Sequence, residues 1–249
     1  MTFPAVGLGT FQGDAGNRGV KEAVLQALRC GYRHIDTATA YGNEIEVGEA
    51  IKESRIPREE IIVTTKLAQT WHRVSDVERA LDLSLERLQL NYVDLYLMHF
   101  IPQPIIDHEL SRDYPSTWAA MESLVDKGKA KMIGVSNFNI LKLERLLGSA
   151  RIPPAVNQIE LHPYLPQVEL VRFCKANGIY LVAHQPLGGK PVAAVNPNAD
   201  RPGPYKIAEI ASKHERSPAQ IILSWIVQQG ISVIPKTVRQ SRMVENLDL

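Results

Sequence analysis

The fold is decided by IIVTTKLAQTWHRVSDVERALDLSLERLQLNYVDLYLMH, residues 61–99. Residues 61–67 are apolar and rich in β-branched side chains, which is typical of a buried strand. Residues 74–90 have the period of an amphipathic helix. One face of that helix carries four apolar side chains: Val77, Leu81, Leu85 and Leu88. Residues 93–99 are again apolar, so the stretch predicts a strand–helix–strand unit.

The same alternation continues along the chain. Strand-like segments lie near residues 6, 34, 61, 93, 130, 155, 179 and 232, with helical segments between them. Strict alternation predicts a parallel sheet, and eight such units in 249 residues fit a single (β/α)8 TIM barrel domain over residues 1–249. An open doubly wound sheet is the alternative. The segment VGLGTFQG (6–13), however, lacks the G-x-G-x-x-G pattern that opens dinucleotide-binding sheets.

Composition argues against several classes of protein. The chain has 28 Lys and Arg against 27 Asp and Glu, and this near-neutral balance predicts no nucleic-acid partner. Cys30 and Cys174 are too few for a disulfide scaffold and lack zinc-ligand spacing. The first residues, MTFPAVGLGTF, carry no signal-peptide pattern, and no apolar run approaches the roughly 20 residues that span a bilayer. We expect a cytoplasmic protein with no membrane partner.

Four chemically different side chains follow neighbouring strands. Asp36 ends the second strand and Tyr41 comes five positions later, while Lys66 and His99 end the third and fourth. A barrel gathers these ends at one face. There an Asp and a Lys would pair, and a Lys ammonium would lower the pKa of a nearby Tyr. Such a Tyr can protonate a developing alkoxide, and a nearby His can orient the carbonyl.

This set favours carbonyl reduction over hydrolysis. No serine lies in a G-x-S-x-G segment, so acyl transfer is not predicted. A metal-dependent hydrolase would need clustered ligands, and His34 with Asp36 form only the start of such a set, so no metal site is predicted. None of these side chains can supply a hydride, and a carbonyl reduction therefore requires a cofactor.

Six motifs resemble those of the aldo-keto reductases: GYRHIDTATAYGNEIEVGEAI (31–51), VTTKL (63–67), VDLYLMH (93–99), IGVSNF (133–138), NQIELHP (157–163) and IPKT (234–237). The resemblance implies a (β/α)8 barrel that binds NADPH without a Rossmann fold. It implies reduction of aldehydes or ketones, with alcohol oxidation as the reverse reaction. Tyr41 would then be the general acid, Lys66 and Asp36 would lower its pKa, and His99 would position the carbonyl.

The resemblance also implies the cofactor contacts. The residues that match the family's contacts are Ser136, Asn137 and Gln158 at the nicotinamide carboxamide, Lys236, Thr237 and Arg242 at the adenosine 2′-phosphate, Glu245 and Asn246 at the adenine, and Leu187 and Gly188 at the start of the pyrophosphate loop.

Two of the implied contacts differ from the family pattern. Where the family often has A-Y-S-P-L-G, this chain has AHQPLG at 183–188. His184 therefore takes the position of the aromatic ring that stacks on the nicotinamide, and Gln185 takes that of a serine near the pyrophosphate. Because a guanidinium can bind a phosphate through two hydrogen bonds, Arg242 together with Lys236 favours NADP over NAD.

The substrate side of the mouth is less defined. Trp71 and Phe100 follow strand ends and are predicted to line the substrate pocket. The loop after His99 is short for the family, which predicts a pocket open on that side. His72, His108 and His214 are expected at the surface.

The ends of the chain differ from the family pattern. The N-terminal hairpin below the barrel, and the C-terminal end of the last helix with its tail, are expected to be lacking. A small carbonyl or alcohol substrate and a monomer are predicted. Because that tail is the usual source of substrate selectivity, the alternative function is a catalytically weak NADP(H)-binding or sensor barrel.

Overall fold

The computed structural model describes residues 3–13, 16–100, 113–188 and 204–249, and these ranges contain all eight predicted strands. The strands are β1 (Leu8–Gly9), β2 (His34–Asp36), β3 (Ile62–Leu67), β4 (Val93–Met98), β5 (Ala130–Ser136), β6 (Val156–Glu160), β7 (Tyr180–His184) and β8 (Ser232–Val233). Each strand pairs in parallel with the next one along the chain.

The sheet closes between β8 and the residues just before β1. The Val233 N–H donates to the Ala5 carbonyl and the Gly7 N–H donates to the Val233 carbonyl, both at 2.8 Å. Gly9 allows this approach, because a Cβ at that position would lie 2.7 Å from the carbonyl oxygen of Ile234. The predicted (β/α)8 TIM barrel is confirmed, and the open sheet is not formed.

Helices connect the strands. The described ranges contain α1 (Val20–Arg29), α2 (Glu44–Ser54), α3 (Val74–Leu88), α4 (Tyr114–Asp126), α5 (Ile140–Leu147), α6 (Val168–Ala176), α7 (Pro204–Lys213), α8 (Pro218–Val227) and α9 (Gln240–Leu247). The four apolar side chains predicted on one face of α3 are all buried. Ser217 and Gln220 form a capping box at the start of α8. None of the helices in these ranges could cross a bilayer.

Two strands are shorter than the sequence predicts. The apolar pattern of IYLVAHQPL (179–187) and SVIPKT (232–237) predicts strands throughout, but β7 ends at His184 and β8 at Val233. Gln185 has a φ of 47°, which turns the chain out of the sheet. Pro235 has no N–H to donate to a neighbouring strand. These breaks release residues 185–188 and 234–237 to form loops at the mouth of the barrel.

Two apolar layers hold the barrel together. The larger layer lies between the strands and the surrounding helices, and a smaller one fills the barrel interior. The interior layer includes Phe3, whose ring stacks on Tyr180 at 5.3 Å near the amino-terminal ends of the strands. The polar groups considered below therefore lie at the opposite, carboxyl-terminal end.

One histidine does not lie where the sequence suggested. His72 is completely buried, so its predicted place at the surface is wrong. The Thr117 hydroxyl on α4 donates to the His72 carbonyl at 2.7 Å, and α4 therefore covers this residue. His214 is exposed as expected, and His108 lies outside the described residues.

Candidate active site

Four candidate side chains meet where β2, β3 and β4 end. Lys66 Nζ donates to Asp36 Oδ1 at 2.5 Å, to the Thr37 carbonyl at 2.9 Å and to the Tyr41 hydroxyl at 3.2 Å. The His99 ring meets the Tyr41 ring edge-on, with 5.6 Å between centroids. Lys66 and Asp36 are buried within the barrel. The spacing inferred from the strand ends thus produces one contiguous cluster, which we call the tetrad.

Burial dominates the electrostatics of the tetrad. Burial raises the pKa of Tyr41 above its ordinary value, and the charge of Lys66 opposes that rise. Lys66 acts in the expected sense, but the pKa of Tyr41 is raised overall, which is opposite to the lowered pKa that the sequence predicts. Burial alone would lower the pKa of Lys66, yet Asp36 and Tyr41 raise it above its ordinary value. The ammonium therefore stays charged and the phenol stays protonated at neutral pH.

His99 is neutral at physiological pH. Burial lowers its pKa to about 3, and the charge of Lys66 acts in the same direction. A neutral imidazole has one N–H donor and one acceptor nitrogen. One face of the ring stacks on Phe100 with 4.6 Å between centroids, which limits its rotation. His99 can therefore donate a hydrogen bond without adding positive charge to the site.

The turn that carries Tyr41 is fixed by side chains of other elements. Tyr41 ends a short 3₁₀ helix, and Gly42 follows with a φ of 64°. Asn17 Nδ2 donates to the carbonyls of Tyr41 and Gly42 at 3.0 and 3.1 Å. The Thr39 hydroxyl hydrogen-bonds Ser84 of α3 at 3.0 Å. These contacts hold the phenol beside Lys66, and nothing in the sequence pattern marked Asn17.

The ends of β5, β6 and β7 place further amide and hydroxyl groups beside the tetrad. The Ser136 hydroxyl donates to the Gln158 carbonyl at 3.0 Å. Asn137 Nδ2 donates to Ser136 Oγ at 2.9 Å and to the His99 carbonyl at 3.3 Å. His184 Nε2 lies 2.9 Å from Asn137 Oδ1. The structure thus brings together the candidate residues for a carboxamide.

Gln158 links this second group to the tetrad. Its Nε2 donates to Asp36 Oδ2 at 2.6 Å across the barrel interior. Asp36 therefore accepts from Lys66 on one oxygen and from Gln158 on the other. No sequence pattern indicates this contact, because the two residues are 122 positions apart and belong to non-adjacent strands.

The candidates after β8 form a separate group. Lys236 and Arg242 are exposed, and neither is paired with a carboxylate in the described part of the chain. Thr237 is buried, and its hydroxyl accepts from the Arg239 N–H at 3.1 Å. Two unpaired cations at the barrel mouth fit a phosphate group.

The remaining cofactor candidates lie on α9 and in the loop after β7. Asn246 is buried on α9 and Glu245 is half-buried. Gln185, Leu187 and Gly188 lie in the loop after β7, and Leu187 is exposed. The rest of the predicted pyrophosphate loop, 189–203, lies outside the described residues.

The two aromatic residues predicted to line the substrate pocket have different surroundings. Phe100 is exposed beside His99, whereas Trp71 packs against the core with the Arg79 guanidinium 5.9 Å from its ring. Phe11, in the loop after β1, was missed although its exposed ring lies 5.1 Å from that of Tyr41. Most of the short loop predicted after His99, residues 101–112, lies outside the described ranges. Where the chain is described, no three His, Cys, Asp or Glu side chains could hold a metal ion.

Known proteins are similar to this chain over nearly its whole length. The model of the Aldo/keto reductase family matches residues 5–249. The chain is 45% identical over 268 residues to aldo-keto reductase family 1 member A1 of Cricetulus griseus, covering 99% of this chain and 81% of that protein. It is 44% identical over 258 residues to aldo-keto reductase family 4 member C11 of Arabidopsis thaliana, with 99% and 81% covered.

Solved structures agree in fold. A Bombyx mori aldo-keto reductase in complex with NADP superposes with a TM-score of 0.89 at 38% identity, covering 99% of this chain and 84% of that one. An aldo-keto reductase from a Medee basin deep-sea metagenome library gives a TM-score of 0.87 at 43% identity, covering 100% and 86%. On these matches, the chain belongs to the aldo/keto reductase family.

Proposed function

We propose that this protein reduces aldehydes or ketones to alcohols with NADPH, with Tyr41 as the proton donor. The observation that carries the proposal is the Tyr41 hydroxyl 3.2 Å from the buried ammonium of Lys66, whose charge is balanced by Asp36 at 2.5 Å. A phenol beside a buried cation is arranged to lose a proton to a developing alkoxide. Family membership as an oxidoreductase supports this reading.

The cofactor is NADP(H), as in the solved relatives, and the chemistry of this chain's side chains fits it. Ser136, Asn137 and Gln158 present hydrogen-bonding groups suited to a carboxamide. Lys236 and Arg242 are cations without acidic partners in the described ranges, which suits the phosphate that distinguishes NADP from NAD. When bound, NADPH supplies the hydride that forms the new C–H bond at the carbonyl carbon.

The proton is handled by the tetrad. Because burial raises the pKa of Tyr41, its hydroxyl is protonated at neutral pH and can donate to the carbonyl oxygen. As the O–H bond breaks, the ammonium of Lys66 stabilises the phenolate that remains. Asp36 balances that ammonium, and a proton from water then restores the phenol. Alcohol oxidation would use the same groups with the proton moving in the opposite direction.

His99 orients the carbonyl in this scheme. Its lowered pKa keeps the ring neutral, so it donates one hydrogen bond and does not compete with Tyr41 as an acid. The rings of Phe11 and Phe100 lie beside Tyr41 and His99, which favours small carbonyl substrates with an apolar or aromatic body. Trp71 as a pocket residue, the single domain, the monomeric state and the cytoplasmic location stay predictions.

A combined turnover and binding assay tests the function. NADPH absorbance is followed with an aromatic aldehyde and then with a panel of aliphatic aldehydes and ketones. NADPH binding is measured separately by quenching of tryptophan fluorescence. We expect binding together with consumption of NADPH that depends on the carbonyl compound. Tight binding without turnover across the panel would contradict the reductase and support the sensor barrel.

A further inference from the structure

The side-chain amide of Asn137 can adopt only one orientation. One end of the amide faces the His99 carbonyl at 3.3 Å, and a carbonyl oxygen can only accept. That end is therefore Nδ2, and Oδ1 faces His184 Nε2 at 2.9 Å. Since Oδ1 cannot donate, the proton of the neutral His184 ring lies on Nε2. The two residues thus fix each other's hydrogen positions.

Asn137 and Ser136 keep only lone pairs for a ligand. The two Nδ2 hydrogens of Asn137 are donated to the His99 carbonyl and to Ser136 Oγ. The Ser136 hydroxyl hydrogen is donated to the Gln158 carbonyl. One of the two lone pairs on Asn137 Oδ1 accepts from His184, which leaves the other for an incoming donor. A group recognised here must therefore bring an N–H or O–H of its own.

We propose that His184 is a positioning residue that locks the Asn137 amide with its oxygen toward the nicotinamide carboxamide, so that the site selects the NH₂ of that group. This inference rests on the proposed function, because it takes the carboxamide to lie against Ser136 and Asn137. It is specific to this chain, since it depends on an imidazole N–H at residue 184. An aromatic hydrocarbon ring at this position could stack on the nicotinamide but could not hold the amide.

The surroundings of His184 keep its ring neutral. Burial lowers its pKa to about 4, and the charges of Lys66 and His162 act in the same direction while Glu160 and Asp36 oppose them. The ring is thus neutral at pH 7 with a single N–H. Asn137 itself has a φ of 62°, a backbone conformation that asparagine tolerates better than most residues. Its side-chain amide is fixed by the two hydrogen bonds that Nδ2 donates and by the contact of Oδ1 with His184.

The test distinguishes stacking of the residue 184 ring on the nicotinamide from positioning of the Asn137 amide by that ring. His184→Phe keeps a flat ring and removes the donor. Dissociation constants are measured by fluorescence quenching, without substrate, for NADP⁺ and for its acetylpyridine analogue, in which a methyl ketone replaces the carboxamide. We expect the wild type to prefer NADP⁺ and His184→Phe to reduce that preference by about 3- to 10-fold, the effect of one hydrogen bond. His184→Gln retains an N–H donor and should keep the preference while weakening the binding of both ligands.

A double-mutant cycle shows whether the effect passes through Asn137. Asn137→Gly removes the amide and accepts the positive φ. In that background, His184→Phe should leave the ligand preference unchanged. Equal weakening of both ligands by His184→Phe, or a change in preference that persists with Asn137→Gly, would overturn the inference while leaving the cofactor site intact. A wild-type protein that binds neither dinucleotide would overturn both the inference and the proposed function.

Discussion

Two aspartates are buried at opposite ends of the barrel, and cations pair with both. Asp36 lies at the carboxyl end of β2 with the buried Lys66 as its partner, and its side chain is 2% exposed. Asp94 lies at the amino end of β4 and is 1% exposed. Its partners Arg58 and Lys131, at 2.7 and 3.0 Å, both reach solvent. Burial and pairing of the aspartate alone therefore do not tell the two sites apart.

What separates them is the surroundings of the cations, because Lys66 is fully buried whereas Arg58 and Lys131 reach solvent. Lys66 also contacts the Tyr41 hydroxyl, which can give up a proton. Arg58 donates to the carbonyls of Ile61 and Tyr92, at 2.5 and 3.1 Å, which cannot. The Asp94 group thus ties the segment before β3 to β4, whereas the Asp36 group leads to a reactive side chain. Lys131 also lies beside a phenol, 4.2 Å from the Tyr92 ring, but 41% of its side chain is exposed. A paired cation beside a phenol therefore indicates chemistry only when the cation itself is buried.

Matched substitutions of the two aspartates should give the largest difference in kcat. Asp36→Asn removes the charge that keeps Lys66 protonated, so we expect kcat for a carbonyl substrate to fall about 100-fold or more. Asp94→Asn should leave kcat within about twofold and lower the free energy of unfolding in urea by about 1–3 kcal/mol, the cost of weakening a buried hydrogen-bonded charge. A similar loss of kcat in both variants would remove the distinction drawn here.

Much of this arrangement is predictable, because parallel strands in a barrel bring their carboxyl ends together. Asp36, Lys66 and His99 could be assigned to one face from strand order alone. The Gln158–Asp36 contact could not, because it crosses the barrel interior and depends on side-chain reach. Phe11 was missed since loop residues have no period. The burial of His72 depends on how α4 packs over it, which local sequence does not encode.

A second, smaller contrast is between an arginine that has an acidic partner and one that has none in the described part of the chain. Arg58 is paired at the amino end, whereas Arg242 on α9 has no acidic partner in the part of the chain that the structure describes. If Arg242 binds the 2′-phosphate, Arg242→Ala should weaken NADPH about 10-fold or more and leave NADH binding nearly unchanged. The same substitution at the exposed Arg172 on α6 is the control. Equal loss for both dinucleotides would rule out phosphate recognition by Arg242.

The burial of His34, near the amino-terminal end of the barrel, makes the stability of the protein depend on pH. His34, at the start of β2, hydrogen-bonds Thr64 at 3.0 Å, and burial lowers its pKa to about 4. Its folded pKa lies below the value of about 6.5 expected in the unfolded chain. Protonation therefore favours unfolding, and stability is lost as the pH falls from about 6.5 toward 4.

Substituting His34 should make the free energy of unfolding depend less steeply on pH. Between those pH values, the free energy of unfolding of His34→Asn should fall less steeply than that of the wild type, by up to about 1.4 kcal/mol per pH unit. Urea unfolding at several pH values measures the slopes, with His214→Asn at an exposed site as the control. An unchanged slope in His34→Asn would show that His34 is not held neutral.

The central claim is that the Tyr41 hydroxyl gives its proton to the substrate, and a single-atom deletion tests it most directly. Tyr41→Phe should reduce turnover of a carbonyl substrate to near background while NADPH binds with nearly unchanged affinity. Tyr92→Phe removes the same atom near the amino-terminal ends of the strands, where its ring lies 4.3 Å from the Arg58 guanidinium, and should keep wild-type turnover. Wild-type turnover in Tyr41→Phe would show that Tyr41 is not the proton donor.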